Sequence, residues 1–171
     1  MIVINNCLPE HVADIVSEGF NNTLNDNIGW SINENFWPPS LLNSVVGVVS
    51  QRIVVGDILY RLKQALSSHL PKHNDAKYQY YNWHKMSGIA LHEDHGYSFG
   101  ATLYLNKKWD PNWGGVFIWG EDSNNLTNAI IPQYNTLVIN TPPMKSHLVT
   151  TISPLAPESR KTIQIWGDDT E

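Results

Sequence analysis

The hydrophobic pattern of this chain changes at about residue 76, and that change constrains the fold more than any other feature of the sequence. Before it, two segments carry apolar residues at helical spacing; after it, short segments rich in β-branched and aromatic residues alternate with clusters of Gly, Pro and Asn. Short strands separated by such turn residues are typical of a β-sandwich or barrel. We therefore predict an α+β protein, mainly β, with N-terminal helices packed on one sheet.

The first 75 residues are predicted to supply helices and loops, and residues 76–171 the β core of one domain that spans 1–171. The N-terminal elements are predicted as a strand at 2–4, helices at 9–20 and 57–70, and a loop at 21–39 with a strand at 28–32. Asp57 is the expected N-cap of the second helix, which Pro71 ends. The core strands are predicted at 77–86, 89–94, 98–105, 116–119, 136–140, 147–152 and 160–166.

Composition argues against several classes of partner. Eleven Lys and Arg against sixteen Asp and Glu give a net charge of −5, without a basic run, so nucleic acid is not an expected ligand. The sequence shows no signal peptide and no apolar stretch of the ~18 residues that a membrane span needs, so we expect a cytoplasmic protein without a membrane partner. Cys7 is the single cysteine, which excludes an intramolecular disulfide and a cysteine-rich zinc site.

Three residues form a candidate metal site. His92 and Asp94 are two residues apart on a predicted strand, so both side chains leave the same face while Glu93 leaves the other. His147 opens a later predicted strand and is the candidate third ligand. Two His and one carboxylate on one face of an octahedron leave positions open, as in non-haem Fe(II) oxygenases. An isolated His-x-Asp is common by chance, so this pattern alone does not establish a metal site.

The last predicted strand adds an anion-binding candidate. Arg160 and Thr162 alternate with Lys161, so the first two should share the inward face and Lys161 should face solvent. The guanidinium of Arg160 is a rigid fork that suits a carboxylate, and Thr162 adds a hydroxyl.

The stretch 89–166 resembles the 2-oxoglutarate/Fe(II)-dependent dioxygenases, and within them the prolyl 4-hydroxylase-like branch. Five motifs that carry the resemblance occur in the family's order. They are His92-Glu93-Asp94, Leu103-Tyr104-Leu105-Asn106-Lys107-Lys108-Trp109, Gly114-Gly115-Val116-Phe117, His147-Leu148-Val149 and Arg160-Lys161-Thr162-Ile163-Gln164-Ile165-Trp166. The resemblance implies a double-stranded β-helix, or jelly roll, with helices packed on one sheet.

The resemblance also implies the roles of the site residues. His92, Asp94 and His147 would bind Fe(II), Arg160 would pair with the distal carboxylate of 2-oxoglutarate, and Thr162 would be a second contact. The implied reaction consumes O₂, releases succinate and CO₂ and hydroxylates a substrate; the family is also compatible with ascorbate as an accessory. The intact carboxylate of Asp94 favours hydroxylation, because halogenating relatives replace it.

Some relatives have a Tyr that helps bind 2-oxoglutarate one residue before the position of Tyr104, where this chain has Leu103. Another Tyr of the family, about ten residues before the His-x-Asp motif, is matched here by Asn82 or Trp83. Secondary contacts to the cosubstrate therefore depart from the family pattern.

The expected substrate is a prolyl residue in a peptide or protein. Hydroxylation of a free amino acid or another small molecule is the alternative, and a non-catalytic metal-binding β-helix protein is a further one. Nucleic-acid demethylation is disfavoured, since that branch carries a second Arg where this chain has Trp166. The sequence leaves the substrate, the hydroxylated position and the oligomeric state open.

Overall fold

The computed structural model describes residues 1–33 and 47–168. The helices of this part are α1 (Glu10–Asp26), α2 (Gly56–Leu66) and a single 3-10 turn (Pro111–Trp113). The strands are β1 (Ile2–Asn5), β2 (Ser31–Asn33), β3 (Val49–Ile53), β4 (Ala76–Trp83), β5 (Ile89–His92), β6 (Phe99–Tyr104), β7 (Phe117–Gly120), β8 (Leu126–Ile130), β9 (Thr136–Asn140), β10 (His147–Val149) and β11 (Arg160–Gly167).

The strands form two antiparallel sheets. The larger sheet has the order β1-β9-β6-β11-β4-β3-β2, and the smaller has the order β5-β10-β7-β8. In the larger sheet β11 is central, because it pairs with β4 along its whole length and with β6 from Thr162 to Gly167. The predicted mainly β architecture with helices on one sheet is confirmed.

Alternation along β11 divides the larger sheet into two faces. Ile163 and Ile165 are fully buried and pack in the same apolar cluster as α1 and α2. Arg160, Thr162 and Gln164 leave the opposite face, as the sequence pattern predicts.

The helices cover the apolar face of the larger sheet. Phe20 of α1 and Leu62 and Leu66 of α2 have no exposed surface and pack against the sheet. Burial of a side chain of this size stabilises the fold by about 1.5–3 kcal/mol. The two helices therefore pack on one face of the larger sheet, and the candidate site lies on the other face.

The second apolar cluster lies between the two sheets. It joins Tyr81 and Tyr104 of the larger sheet to Ile89, Phe117 and Val149 of the smaller one. The two sheets thus pack face to face, and the candidate site residues lie among these side chains.

Several predicted boundaries at the N-terminal end differ from the structure. α1 extends beyond residue 20 to Asp26, so part of the predicted loop is helical. Val55, not Asp57, is the N-cap of α2, and Asp57 makes no capping hydrogen bond. Instead, Asp57 lies in the first turn and its Oδ2 accepts from Arg61 Nε at 2.6 Å, an i,i+4 pair. The helix ends at Leu66, before the predicted residue 70.

Two strands are absent from the sequence prediction. β3 lies between the predicted helices, and its short sequence Val-Ser-Gln-Arg-Ile has little apolar alternation. β8 is an edge strand whose three central residues are exposed, so it lacks a hydrophobic face that a pattern could show. The predicted strand at 28–32 is placed at Ser31–Asn33, and residues 34–39 of the predicted loop lie outside the described residues. No helix in the described ranges is long and apolar enough to span a membrane.

Candidate active site

His92, Asp94 and His147 meet at one point between the two sheets. One ligand atom from each residue can be chosen so that all three lie within 4.8 Å of one another. The Nε2 atom of His92 is 3.6 Å from Asp94 Oδ1, and that of His147 is 3.6 Å from Asp94 Oδ2. The predicted triad is therefore brought together, with the donor set of a facial Fe(II) site.

Strand pairing places the two histidines side by side. His92 is the last residue of β5, His147 is the first residue of β10, and the two are direct cross-strand partners. β5 is shorter than predicted, so Asp94 lies two residues beyond its end. Its carboxylate still reaches both rings, although the strand argument for its orientation was wrong.

Both imidazole rings present Nε2 to the triad. The Nδ1 atom of His92 is 2.8 Å from the carbonyl of Ala90, and that of His147 is 2.9 Å from the carbonyl of Lys145. A carbonyl only accepts, so each Nδ1 carries the proton and each Nε2 keeps its lone pair. Burial, followed by the neighbouring His147, lowers the pKa of His92 and favours the neutral ring that metals bind.

Gly100 gives Asp94 the room to sit beside the histidines. A Cβ at this position would lie 2.9 Å from the Trp166 ring and 3.1 Å from Asp94 Oδ2. Both distances are shorter than ordinary van der Waals contact. A side chain at position 100 would therefore displace either the carboxylate or the indole.

We expect Gly100→Ala to weaken metal binding about tenfold, because the added methyl group pushes on Asp94, a candidate metal ligand. Overpacking of this kind costs about 1–3 kcal/mol. Titration with Mn(II) measures the loss of metal affinity, and the thermal unfolding midpoint of the metal-free protein measures the loss of stability from overpacking. Unchanged Mn(II) affinity would show that Trp166 alone yields to the methyl group.

Arg160 is a buried cation without a counter-charge in the described part of the chain. It is 1% exposed, and its Nε and Nη1 atoms find no hydrogen-bond acceptor among the described residues. Its Nη2 donates to the Tyr104 hydroxyl at 3.4 Å, and the guanidinium lies over the rings of Trp83 and Tyr104, 5.4 and 5.1 Å from the two centroids. Burial lowers the pKa of this guanidinium from its usual value, yet arginine remains charged in proteins. The site thus holds an unpaired positive fork that fits a carboxylate.

Thr162 lies two residues after Arg160 on β11, on the same face, and is fully buried. Its Oγ1 accepts from Trp83 Nε1 at 3.3 Å and from Gln164 Nε2 at 3.4 Å. The Gln164 carbonyl in turn accepts from Thr102 Oγ1 at 2.9 Å. Thr162 thus links Trp83 to Gln164 in the wall of the site. Its predicted contact to the cosubstrate stays a prediction.

The triad and Arg160 line one and the same cleft. Sequence reasoning did not assign several of the aromatic residues that line it. These are Tyr81, Trp83, Phe117 and Trp166. Tyr81 and Trp83 are the strand partners of Thr162 and Arg160, so the register of β4 on β11 is the signal that finds them.

Tyr104 was missed for a related reason. Leu103, where the sequence departs from the family, packs in the apolar cluster on the helix side. Tyr104 lies on the other face, which lines the site, and is the cross-strand partner of Thr162. A tyrosine hydroxyl is therefore present beside Arg160 after all. Burial raises the pKa of Tyr104, so it stays a neutral hydroxyl.

Three further reactive or charged residues are not part of the triad. His95, which follows Asp94 in the sequence, is exposed. Lys161 was expected to face solvent, but only 16% of its side chain is exposed, and its Nζ pairs with Glu158 at 2.7 Å. Cys7 is buried near α1, and burial raises the pKa of its thiol to about 12. None of the three bears on the chemistry of the cleft.

A match to a family model identifies the superfamily of the chain. The model of the 2OG-Fe(II) oxygenase superfamily matches residues 60–167, which include all three triad residues and Arg160. The chain belongs to this superfamily. Membership implies Fe(II), 2-oxoglutarate and O₂, in agreement with the donor set and the unpaired guanidinium. A search of curated proteins finds no match.

Solved structures share the fold of this oxygenase. A prolyl-4-hydroxylase from Pseudomonas putida is 14% identical with a TM-score of 0.75, over 99% of this chain and 92% of that one. A prolyl hydroxylase from Trichoplax adhaerens, in complex with a hypoxia inducible factor peptide fragment, is 18% identical with a TM-score of 0.76, over 98% and 83%. A viral collagen prolyl hydroxylase from Paramecium Bursaria Chlorella virus-1, as a 2OG complex, is 11% identical with a TM-score of 0.62, over 96% and 93%.

Proposed function

We propose that this oxygenase hydroxylates prolyl residues in a peptide or protein. The observation that carries the hydroxylase part is the presence, in one cleft, of a His-Asp-His triad and a buried Arg160 without a carboxylate partner. The triad supplies the ligands of Fe(II), and Arg160 supplies the charge that holds the distal carboxylate of 2-oxoglutarate. When bound, iron and 2-oxoglutarate supply the oxidising chemistry with O₂, releasing succinate and CO₂.

The chain itself contributes binding, orientation and exclusion of water. The carbonyls of Ala90 and Lys145 fix the histidine rings, and the Trp83 and Tyr104 rings flank the guanidinium of Arg160. Aromatic walls around a charged fork keep water out, which strengthens its pairing with a carboxylate.

Two observations favour a prolyl substrate. The fold is shared with prolyl hydroxylases, one of them holding a peptide. Trp166 lines the cleft and packs against Tyr97, which is 40% exposed, with 4.7 Å between the ring centroids. Aromatic surfaces of this kind recognise proline-containing segments in other proteins.

The hydroxylase assignment is tested by anaerobic titration with Fe(II) and 2-oxoglutarate. A chelated cosubstrate gives a weak metal-to-ligand charge-transfer band in visible light, and we expect the band in the wild-type protein and its loss in His147→Ala. Metal binding without the band would move the assignment to a non-catalytic metal-binding protein.

The substrate assignment needs a separate measurement. We expect a proline-containing peptide to increase succinate formation and to gain the mass of one oxygen atom, while the same peptide with Ala in place of Pro does neither. Turnover of free proline but of no peptide would instead assign a small-molecule hydroxylase.

A further inference from the structure

The two segments that carry the triad are joined by few backbone contacts. His92 and His147 are cross-strand partners, but the register of β5 on β10 is irregular between His147 and Val149. β5 ends at His92, so strand pairing does not extend to Asp94. Strand pairing alone therefore does not fix the position of Asp94 against the two histidine rings.

A side-chain hydrogen bond spans the two segments next to the triad. Ser146 Oγ donates to Glu93 Oε1 at 2.7 Å, across 53 residues of sequence. Ser146 directly precedes His147, and Glu93 lies between His92 and Asp94. The bond therefore continues the link between the segments one residue past their last paired positions.

The Ser146 end of this bond is the rigid one. Ser146 is 3% exposed, and the Lys145 backbone beside it is held by the amide of Asn140, whose Oδ1 accepts from Lys145 N at 3.1 Å. The Lys145 carbonyl also accepts from His147 Nδ1. Glu93 is exposed and directly follows the last residue of β5. A restraint between a fixed and a free segment orders the free one, which here carries Asp94.

We propose that Ser146 is a positioning residue that holds Asp94 in the triad through Glu93. This inference rests on the proposed iron ligation and adds to it a residue pair outside the ligand set. Partners that orient metal ligands from outside typically change metal affinity 10- to 100-fold when removed. Because Glu93 is exposed, the effect here is at the lower end, about tenfold.

The experiment is a double-mutant cycle read by Mn(II) affinity. Free Mn(II), a stand-in for Fe(II) that does not react with O₂ here, is counted by electron paramagnetic resonance for the wild type, Ser146→Ala, Glu93→Ala and the double variant. Glu93→Gln is the conservative variant, because it removes the charge but keeps an oxygen acceptor. Ser67→Ala is the matched control, since its hydroxyl donates to the Gln64 carbonyl near the end of α2 and Ser67 does not line the cleft.

We expect each alanine variant to weaken Mn(II) binding about tenfold and the double variant to be no weaker than either single one. Glu93→Gln and Ser67→Ala should bind as the wild type does. The unfolding midpoint of metal-free Ser146→Ala should hardly change, because the released Glu93 carboxylate is free to hydrate.

Wild-type affinity in Ser146→Ala would overturn the proposal, as would losses that multiply in the double variant. An equal loss in Glu93→Gln and Glu93→Ala would assign the effect to charge rather than to the hydrogen bond and would also overturn it. His147→Ala in the same titration distinguishes a failure of the proposed iron ligation from a failure of the positioning role of Ser146. If His147→Ala binds Mn(II) normally, the iron ligation itself is wrong; if only Ser146→Ala does, the positioning role alone fails.

Discussion

Asp94→Ala is expected to abolish 2-oxoglutarate turnover while leaving the protein folded. Both oxygens of Asp94 face a histidine Nε2 at 3.6 Å, so its removal deletes the anionic ligand of the triad. Loss of a direct ligand should cost more than loss of an outer partner, which is 10- to 100-fold in metal affinity. We therefore expect Mn(II) affinity to fall at least about 100-fold and succinate formation to fall below detection.

The stability of the metal-free protein should change little in this variant. Asp94 lies outside the strands and is not part of either apolar cluster, so its truncation leaves the core intact. We expect a change of less than about 1 kcal/mol in the free energy of unfolding, measured by urea denaturation with a chelator present.

Asp26→Ala is the control for this variant. Asp26 is an exposed carboxylate at the last position of α1, so its removal makes the same change in net charge without touching the cleft. It should retain full turnover and metal binding. Succinate formation by Asp94→Ala at the wild-type rate would remove Asp94 from the ligand set.

Features that depend on local alternation could be predicted from the sequence. β11 is an example: apolar Ile163 and Ile165 alternate with Arg160, Thr162 and Gln164, and the structure buries the two sets on opposite faces. The convergence of His92, Asp94 and His147 was also predicted, although the reason given for Asp94 was not the one the structure shows.

Features that depend on pairing between distant strands could not be predicted in this way. The aromatic run of β4 has no polar alternation, so the sequence does not tell Tyr78 and Tyr80, which face the helices, from Tyr81 and Trp83, which face the cleft. Only the register of β4 on β11 makes that distinction. An exposed edge strand such as β8 gives no apolar signal at all.

Arg160→Ala is expected to raise the 2-oxoglutarate requirement more than any other change outside the triad. The guanidinium is fully buried, two of its nitrogens have no acceptor in the described ranges, and the rings of Trp83 and Tyr104 restrict water around it. Loss of a charge-assisted pair in such a place costs about 2–4 kcal/mol. At 1.36 kcal/mol for each factor of ten, this is a weakening of roughly 30- to 900-fold.

The measurement is the KM for 2-oxoglutarate in succinate formation, with its dissociation constant from the anaerobic charge-transfer band. Lys161→Ala is a closely matched control, since it removes a cation one residue away that leaves the other face of β11 and pairs with Glu158. Arg160→Lys should lie between the wild type and Arg160→Ala, because lysine keeps the charge but lacks the two-pronged geometry. If Arg160→Ala binds 2-oxoglutarate as the wild type does, or if Lys161→Ala loses as much affinity for it, then Arg160 is not the residue that binds the distal carboxylate of 2-oxoglutarate. Mn(II) affinity should stay near the wild-type value in both alanine variants, because neither residue belongs to the triad.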